Sequence, residues 1–526
     1  MKLKLENLKK IQEIIDSPLS YDVEKMRVKT MEFPTWLHFG AGNIFRGYIA
    51  RLNQELLNRG LIDRGIIVGE SFDGEIIEKI YRPYDNLTLS VTLRKEGEFK
   101  TDLIANLAES IVADDMERLR KIAINPQLQV ISFTITEKGY NLYGPNGEFL
   151  EVVQEDMASK PENARHMMSK LAYLLHERYR ENEKPIGILS LDNCSHNGEK
   201  IQESVRRIVT AWVDKGYVEK EFLNYIEDKN KVSFPWSMID KITPRPAEEV
   251  QQYLENLGFE NMDPIITEKH TYIAPFVNSE EAEYLVIEDQ FPNGRPPLEK
   301  AGVYMTDRQT VNKVERMKVT TCLNPLHTTL AVYGCLLGYD RIYREMEDPQ
   351  LLKLIEKIGY EEALPVVVDP KILNPKDFID EVLEIRLPNP HIPDAPQRIA
   401  TDTSQKVSIR FGETIKAYEE KNEVEQLTFI PLALAGWLRY LLGVDDQGQD
   451  FERSADPLLE ELTQALEGIS YDDFQETKGL DRLLQNENIF GINLKEIGID
   501  RKIKEYLEQL CQGNGAVRKT LEKYVG

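Results

Sequence analysis

Thr35-Trp-Leu-His-Phe-Gly-Ala-Gly-Asn-Ile-Phe-Arg-Gly47 is the most informative stretch of this 526-residue chain. Its first five residues form a short apolar run typical of a buried strand, and a helical pattern follows the glycines to about residue 58. Gly40 allows a tight turn, and Gly42 lets the backbone approach a ligand phosphate at the N-terminus of the following helix. Because Gly47 comes late for a GxGxxG pattern, the match is imperfect. The stretch predicts either a dinucleotide-binding loop or a plain strand–turn–helix.

The dinucleotide interpretation identifies a set of candidate cofactor contacts. In the loop these are Gly40, Gly42, Asn43, Ile44 and Phe45. An acidic residue after the second strand would hold the adenosine ribose hydroxyls, and Glu70 and Asp73 are the two candidates. We prefer Asp73, although either side chain could instead cap a helix. A carboxylate here would repel the extra phosphate of NADP, so the sequence predicts NAD as the cofactor.

Apolar runs outside this loop extend the prediction to a whole domain. Residues 65–68, 129–135 and 186–191 read as three more buried strands, and helical patterns separate them. Alternating strands and helices predict a mostly parallel, doubly wound, Rossmann-like sheet. The segment 232–244 looks irregular, and residues 292–297 are rich in turn-forming residues.

Beyond residue 301 the pattern becomes helical. The candidate helices are 308–338, 347–358, 376–385, 404–421, 427–444, 456–467 and 501–524. We therefore predict an α/β protein with two domains. Residues 1–305 would form the Rossmann-like dinucleotide-binding domain, and residues 306–526 would form a mostly α-helical substrate and catalytic domain.

Composition excludes several classes of function. The formal net charge is -24, which disfavours nucleic acid and anionic membranes as partners. The four cysteines form no CxxC pair, so we expect neither a disulfide framework nor a zinc site, and a reducing cytosol is the expected compartment. The N-terminus lacks the apolar core of a signal peptide. Residues 427–444 are strongly apolar but contain Pro431 and Arg439, which favours a buried helix over a membrane span.

The stretch from Glu315 to His327 gathers polar side chains in an apolar helical pattern. Asn324 and His327 are three residues apart, so they share one face of a helix. Lys318 could carry a proton if it is desolvated. No cysteine or carboxylate cluster accompanies these residues, so we expect no metal. An amphipathic helix with a satisfied buried histidine is the alternative.

Several further motifs occur in a characteristic order. They are residues 134–140, 191–198, 232–235, 239–244, 291–296, 315–327 and 389–406. With the glycine loop, these motifs make the chain resemble the mannitol dehydrogenase family, the polyol-specific long-chain dehydrogenases, over nearly its whole length. The resemblance implies a metal-independent dehydrogenase that acts on a secondary alcohol of a linear sugar derivative.

The resemblance also implies catalytic roles for individual residues. Lys318 corresponds to the family's general base for alcohol oxidation, and Asn193 and Asn324 to the asparagines that hold the reacting oxygen. His327 would orient substrate hydroxyls, and Glu315 would pass the proton to bulk water. The alternatives are a turn cap for Asn193 and simple solvation for Glu315.

Three more residues match the family's substrate-contacting positions: Asp240, Arg398 and Lys406. The Arg/Lys pair suits a polyhydroxylated, possibly anionic, ligand. A helix cap is the alternative for Asp240, and surface ion pairs are the alternative for the two cations.

The function that the resemblance implies is a cytoplasmic, NAD-dependent interconversion of D-mannonate and D-fructuronate. Dehydrogenation of mannitol at its second carbon and reduction of tagaturonate are alternatives within the family. A non-catalytic nucleotide-binding protein is the alternative from another class.

Two departures from the family pattern bear on this expectation. The run Ile44-Phe-Arg-Gly-Tyr48 lacks the histidines that the family commonly has there. Lys318 and Asn324 lie six residues apart, one more than is usual, which would rotate Lys318 away on a regular helix. Because Pro325 cannot donate a backbone hydrogen bond, we predict a π-bulge within 319–324 in a helix from about 308 to 337. The competing geometry is a helix break with Asn324 as N-cap and Pro325 at the first helical position.

Overall fold

The computed structural model describes residues 1–95 and 97–526. The chain divides into two compact units, Met1–Asn312 and Lys313–Gly526. The first unit contains the parallel sheet, and the second is built from helices. The expected fold class, a Rossmann-like sheet domain followed by a helical domain, is confirmed.

The central sheet of the first unit has six strands. They are β1 (Trp36–Phe39), β2 (Ile66–Glu70), β3 (Leu107–Val112), β4 (Val130–Phe133), β5 (Ile186–Ser190) and β6 (Val232–Ser233). The spatial order is β3-β2-β1-β4-β5-β6, and every neighbouring pair is parallel. This order reverses between β1 and β4, so a crevice opens there at the carboxyl ends of the strands.

The strands of this sheet are apolar because both of its faces are covered. All four residues of β1 are buried. Leu37 and Phe39 belong to the core on one side of the sheet, and Trp36 belongs to the core on the other. Alternate side chains of a strand point to opposite faces, so a sheet with helices on both sides needs an apolar residue at nearly every position.

Helices of the first unit precede, connect and follow these strands. The α-helices are Leu8–Gln12, Val23–Glu32, Ala50–Asn58, Met116–Ala123, Thr136–Tyr140, Glu151–Ala158, Met167–Asn182, Asn197–Asp214, Lys220–Glu227 and Glu248–Asn256. Two π-helical turns, Phe45–Ile49 and Ile77–Tyr81, precede Ala50–Asn58 and follow β2, respectively. The helix Arg308–Met317 continues the chain into the second unit.

Three smaller sheets flank the parallel one. One orders Phe276–Glu280, Thr88–Leu93 and Phe99–Ile104, another orders Tyr304–Thr306, Tyr284–Glu288 and Ser237–Asp240, and a third pairs Ile265–Ile266 with Tyr272–Ile273. The expectation that 232–244 is irregular is therefore wrong. Its two short strands pair with distant partners in separate sheets, β5 and Tyr284–Glu288, and Pro235 lies between them. Such long-range pairing leaves little local pattern.

The second unit consists of helices. Its α-helices are Asn324–Leu337, Ile342–Glu345, Pro349–Glu356, Pro375–Glu381, Pro396–Ile399, Glu413–Glu419, Phe429–Tyr440, Leu459–Ala465, Lys478–Leu483, Glu487–Phe490, Asp500–Leu510 and Ala516–Val525. Its π-helical turns are Lys318–Cys322, Lys357–Ala363, Val382–Arg386 and Ser408–Gly412. The prediction of a single helix over 501–524 is wrong. Gly513 and Gly515 both have positive φ, which ends one helix and starts another.

The core of the second unit forms where Phe429–Tyr440 contacts Asn324–Leu337 and Asp500–Leu510. Every residue of Phe429–Tyr440 is buried, which confirms the interpretation as a core helix. The ring of Tyr333 fills the space beside Gly436, where a Cβ would lie 2.6 Å from ring atoms. Within the described residues, no helix combines the length and apolar character that crossing a membrane requires.

Candidate functional site

The glycine loop leaves β1 through a conformation that only glycine adopts easily. Gly40 has a φ of +109°, and a Cβ there would lie 2.3 Å from the carbonyl oxygen of Thr134. The loop is fastened from both sides, since Gly40 N donates to Gly69 O at 2.9 Å and the Tyr81 hydroxyl donates to Ala41 O at 2.8 Å. The loop is therefore held in one shape against β2 and β4.

Gly42 differs from Gly40, because neither its φ nor its packing demands a glycine. Its φ lies outside the left-handed region, and a Cβ built on it would meet nothing within 4 Å. Open space at this position suits a ligand that approaches the backbone closely. Helical structure begins at Asn43, so the unpaired N–H groups of a helix start lie beside that space. These features fit a bound pyrophosphate.

The remaining loop candidates have different surroundings. Asn43 Oδ1 accepts a hydrogen bond from Arg46 at 2.8 Å, and Ile44 is half-buried. Phe45 is fully buried and stacks on His38 with ring centroids 4.2 Å apart. The Phe45 ring therefore belongs to the core, which leaves only its backbone for a cofactor. Burial lowers the pKa of His38 to about 3, so this histidine is neutral.

Both candidate ribose acids are buried and hydrogen-bonded. Glu70 accepts from Ala41 N at 2.7 Å and from the amides of Phe72 and Asp73 at 2.7 and 3.1 Å. Its carboxylate thus links the end of β2 to the glycine loop. Asp73 accepts from the Thr267 hydroxyl at 2.5 Å. Bracing of the loop by Glu70 was not anticipated from the sequence.

The turns after β4 and β5 are joined by Asp192. Its carboxylate accepts from the amides of Ile135 and Thr136, at 2.9 and 3.2 Å, and from the Tyr140 hydroxyl. Burial raises the pKa of Asp192, and these three donors partly offset the effect. Thr136 has a φ of +66°, an uncommon conformation for a β-branched residue. The next residue, Asn193, is exposed at this edge of the sheet.

Asp240 lies at the end of the strand Ser237–Asp240 and is buried. It is not a helix cap, because the next helix begins at Glu248. The side chain of the neighbouring Lys241 is also buried, and its amine donates to Glu283 at 2.8 Å. Arg51 binds the same carboxylate, so two cations share the single negative charge of Glu283 next to Asp240.

The chain between Lys318 and Asn324 forms the π-helical turn that we predicted. Lys318–Cys322 is π-helical, and Leu323 N donates to Lys318 O at 3.1 Å, five residues back. Leu323 then departs from helical geometry, with φ −129° and ψ −63°, and a new α-helix begins at Asn324. Pro325 lies in the first turn of that helix, where no amide hydrogen is required. The structure thus combines the π turn with a break, and Leu323, not Asn324, is the N-cap.

Threonine hydroxyls satisfy part of the disturbed backbone. Thr320 Oγ1 donates to Arg316 O at 2.7 Å, and Thr414 Oγ1 donates to Thr320 O at 3.3 Å. The π turn also contacts two other π-helical turns, Lys357–Ala363 and Ser408–Gly412. This unusual backbone is therefore supported from outside its own helix, as expected for a position where geometry matters.

The catalytic candidates of the second unit follow one another along these helices. Lys318 is buried, with 4% of its surface exposed, whereas Asn324, His327 and Glu315 are half-buried. His327 Nε2 lies 3.1 Å from Asp394 Oδ2, although the ring N–H is not aligned along a hydrogen bond. Asn193 belongs to the first unit, so its meeting with Lys318 stays a prediction.

Asp394 connects His327 to Arg398. Its other oxygen accepts a hydrogen bond from the Arg398 guanidinium, which is 66% exposed. Burial raises the pKa of Asp394, but His327 and Arg398 outweigh this effect and the net pKa is lowered. Asp394 is therefore an anion that can hold His327 in place. The i, i+4 spacing of Asp394 and Arg398 was the available sequence signal.

Lys406 lies in the connection after these residues. Its amine donates to Thr401 O at 2.6 Å, and Arg410, one helical turn further, hydrogen-bonds the Thr328 hydroxyl. Burial lowers the pKa of Lys406, and the positive charge of Arg410 lowers it further. Within 1–95 and 97–526, no group of three or more His, Cys, Asp or Glu is arranged to hold a metal ion.

The strand order, the glycine loop and the residues at the sheet edge place the chain among Rossmann-fold dehydrogenases. The family model of the mannitol dehydrogenase Rossmann domain matches residues 34–300, and that of the mannitol dehydrogenase C-terminal domain matches residues 310–511. The chain belongs to the mannitol dehydrogenase family and is an oxidoreductase. The family resemblance seen in the sequence is confirmed.

Individual relatives match almost the whole chain. A D-mannonate oxidoreductase of Thermotoga maritima is 52% identical over 518 residues, which cover 97% of this chain and 96% of that protein. The structure of Pseudomonas fluorescens mannitol 2-dehydrogenase in a ternary complex with NAD and D-mannitol is similar with a TM-score of 0.72 and 25% identity, covering 99% of each chain. A substrate-free D-sorbitol dehydrogenase structure, with a TM-score of 0.81 and 23% identity, covers 99% of this chain and 100% of its own and shares the fold.

Proposed function

We propose that this protein is an NAD-dependent oxidoreductase that interconverts D-mannonate and D-fructuronate. The observation that carries the proposal is the 52% identity to a D-mannonate oxidoreductase over 97% of the chain. The more distant mannitol 2-dehydrogenase, at 25% identity, supports a polyol substrate less strongly. We also propose a cytoplasmic location, which the four unpaired cysteines support.

The dinucleotide would lie across the glycine loop. The open space at Gly42 and the helix start at Asn43 suit its pyrophosphate, and the buried carboxylates of Glu70 and Asp73 disfavour the additional phosphate of NADP. When bound, NAD supplies the acceptor for the hydride that leaves the alcohol carbon. The protein's own side chains would transfer the proton, stabilise the reacting oxygen and bind the substrate.

Lys318 is the proposed acid–base group. In the oxidation direction its neutral amine accepts the proton of the reacting hydroxyl, and in reduction its ammonium returns that proton. Amide N–H groups of Asn193 and Asn324 stabilise the alkoxide character that develops on the oxygen. Glu315 is the proposed route from Lys318 to bulk water, and its half-buried position in the preceding helical turn supports this role.

Substrate binding is proposed for Asp240, His327, Arg398 and Lys406. His327 would orient hydroxyl groups, and the buried anion Asp394 would fix the imidazole. Asp240, beside the Lys241–Glu283 pair, offers an acceptor to substrate hydroxyls. Because Arg398 already pairs with Asp394, its first contribution is to hold that carboxylate.

Oxidation of D-mannonate provides the direct test. The protein, dialysed against a chelator, is mixed with NAD and either D-mannonate or D-mannitol, and NADH formation is followed. We expect NADH formation with D-mannonate at an undiminished rate after chelation, because a lysine rather than a metal handles the proton. NADH formation with D-mannitol alone would overturn the proposal.

A further inference from the structure

Arg410 contacts the helix Asn324–Leu337, which carries the catalytic candidates Asn324 and His327. Arg410 belongs to the π-helical turn Ser408–Gly412, and its guanidinium donates to the hydroxyl of Thr328, the residue after His327. The same hydroxyl donates to Asn324 O at 2.8 Å. Arg410 is therefore one hydrogen bond away from the turn that presents Asn324 and His327.

The turn that carries Arg410 is fixed in place. A Cβ on Gly412 would lie 2.1 Å from the carbonyl oxygen of Phe490, so this glycine is packed directly against another backbone. The turn also contacts Lys318–Cys322. Arg410 therefore stands on a supported segment beside the proposed acid–base lysine, not on a mobile loop.

The charge of Arg410 has no counterpart nearby. Among the residues that the structure describes, no carboxylate lies within ion-pair distance of Arg410 or of Lys406. Arg398 differs from Arg410 in its burial and in its pairing, because Arg398 is exposed and forms an ion pair with Asp394. Burial lowers the pKa of Arg410 to about 10, so the guanidinium still carries its charge at neutral pH. Asp402 and Asp456 act on Lys406 only at longer range, and burial is the sole cause of the shift at Arg410. A half-buried arginine and lysine one turn apart, with no carboxylate bound directly to either, can bind an anionic ligand.

We propose that Arg410, assisted by Lys406, binds the carboxylate of the hexuronate substrate and thereby selects hexuronates over neutral ketoses. This inference rests on the proposed function. In D-fructuronate the carboxylate stands at the opposite end of the carbon chain from the ketone. Thr328 lies one helical turn, about 6 Å, beyond Asn324, the proposed partner of the ketone oxygen. The placement of Arg410 at Thr328 matches that separation.

Selectivity follows from the cost of covering a half-buried charge without pairing it with an anion. A bound hexuronate supplies the missing anion, whereas fructose would cover the same cations with neutral hydroxyls. Loss of one charge-assisted hydrogen-bonded pair typically weakens binding about 10- to 100-fold. Removing Arg410 should therefore penalise the hexuronate and spare the ketose.

The test compares Arg410→Gln and Arg410→Lys with the unmodified protein. Steady-state constants are measured with NADH and either fructuronate or fructose, and thermal unfolding and NADH binding establish that each variant is folded. Arg344→Gln, which removes an exposed arginine outside the site, is the matched control. We expect R410Q to raise the KM for fructuronate about 10- to 100-fold, to leave the KM for fructose within about threefold, and R344Q to change neither.

Arg410→Lys keeps the positive charge but cannot form a bidentate hydrogen bond with a carboxylate. It should therefore raise the KM for fructuronate by a smaller factor than R410Q does. If R410Q does not fold, this variant carries the test, and an unchanged KM for fructuronate overturns the inference. Equal effects of R410Q on both substrates overturn it too, while leaving the proposed function intact. No turnover of fructuronate by the unmodified protein overturns both, which distinguishes the two failures.

Discussion

Lys318 is the proposed acid–base group, so its replacement tests the proposed chemistry. It is buried on a supported π turn, and its neighbours in sequence are the proposed oxygen ligand Asn324 and the histidine. We expect Lys318→Ala to lower kcat by several powers of ten, beyond the roughly 10²–10⁴ of acid–base catalysis alone, because the lysine also positions substrate. NAD binding should survive. Lys313→Ala, at an exposed position of the same helix, is the control. Near-normal turnover of the Lys318 variant would show that another group is the base.

Glu70 and Asp73 lead to different predictions because their contacts differ. Asp73→Asn should raise kcat/KM with NADPH relative to NADH, since a negative charge near the ribose is removed. Glu70→Gln should weaken binding of both coenzymes, because Glu70 accepts the backbone amide of Ala41 in the glycine loop. Ratios of kcat/KM for the two coenzymes measure the difference. A preference of the unmodified protein for NADPH would refute the predicted role of these acids.

Glu345 provides a prediction about pH. It is fully buried, no described group hydrogen-bonds its carboxyl oxygens, and it fills the space beside Gly334. Burial raises its pKa well above the ordinary value, and the negative charges of Asp394 and Asp348 add to the effect. Its protonated form therefore favours the folded state. This contribution is complete below about pH 4, the ordinary pKa of glutamate, and is lost as pH rises through the raised folded pKa.

Glu345→Gln stays neutral at every pH. The melting temperature of this variant relative to the unmodified protein should therefore rise between about pH 4 and alkaline pH. Glu347→Gln, at an exposed position nearby, serves as the control and should show no such trend. A constant difference across the range would mean that Glu345 ionises normally in the folded protein.

Among the helical elements, the π turn Lys318–Cys322 accommodates the extra residue between Lys318 and Asn324 in the proposed site. A π turn accommodates one extra residue while the helix on either side keeps its facing. Deleting Val319, a half-buried residue of the turn, should leave an ordinary helical turn that presents Lys318 on the side of Asn324. We expect the deletion to retain turnover within about tenfold, at some cost in stability.

Inserting one alanine after Val319 should instead rotate Lys318 by about 100° and abolish turnover. Circular dichroism and thermal unfolding of both variants separate loss of fold from loss of activity. The opposite pattern, an active insertion and an inactive but folded deletion, would contradict the proposed use of the π turn.

The elements also show what a single sequence can predict. Four strands of the parallel sheet were predicted from their apolar runs, because burial on both faces leaves an unbroken signal. Leu107–Val112 was missed because Glu109 and Ser110 interrupt its apolar run, and Val232–Ser233 is only two residues long. The π turn was predictable because Pro325 removes a specific hydrogen bond. A helix break was the competing prediction, and the structure places its N-cap one residue earlier than predicted, at Leu323.

For the site, motif order predicted which residues to consider, and the structure supplied their partners. The contact of Asp394 with His327 and the contact between Arg410 and Thr328 join segments that are dozens of residues apart. A single sequence does not predict that side chains from such distant segments are in contact. The same reason explains why Glu70 could be recognised as a candidate acid but not as the brace of the glycine loop.

The whole molecule combines a dinucleotide-binding unit with a helical unit, which carries the proposed acid–base group Lys318 and the cations Lys406 and Arg410 proposed to bind an acidic sugar. The identity of the substrate is tested by NADH consumption of the unmodified protein with fructuronate, tagaturonate and fructose side by side. We expect the highest kcat/KM with fructuronate. A higher value with fructose would contradict the hexuronate assignment, and no turnover of any of the three would indicate a nucleotide-binding protein without this activity.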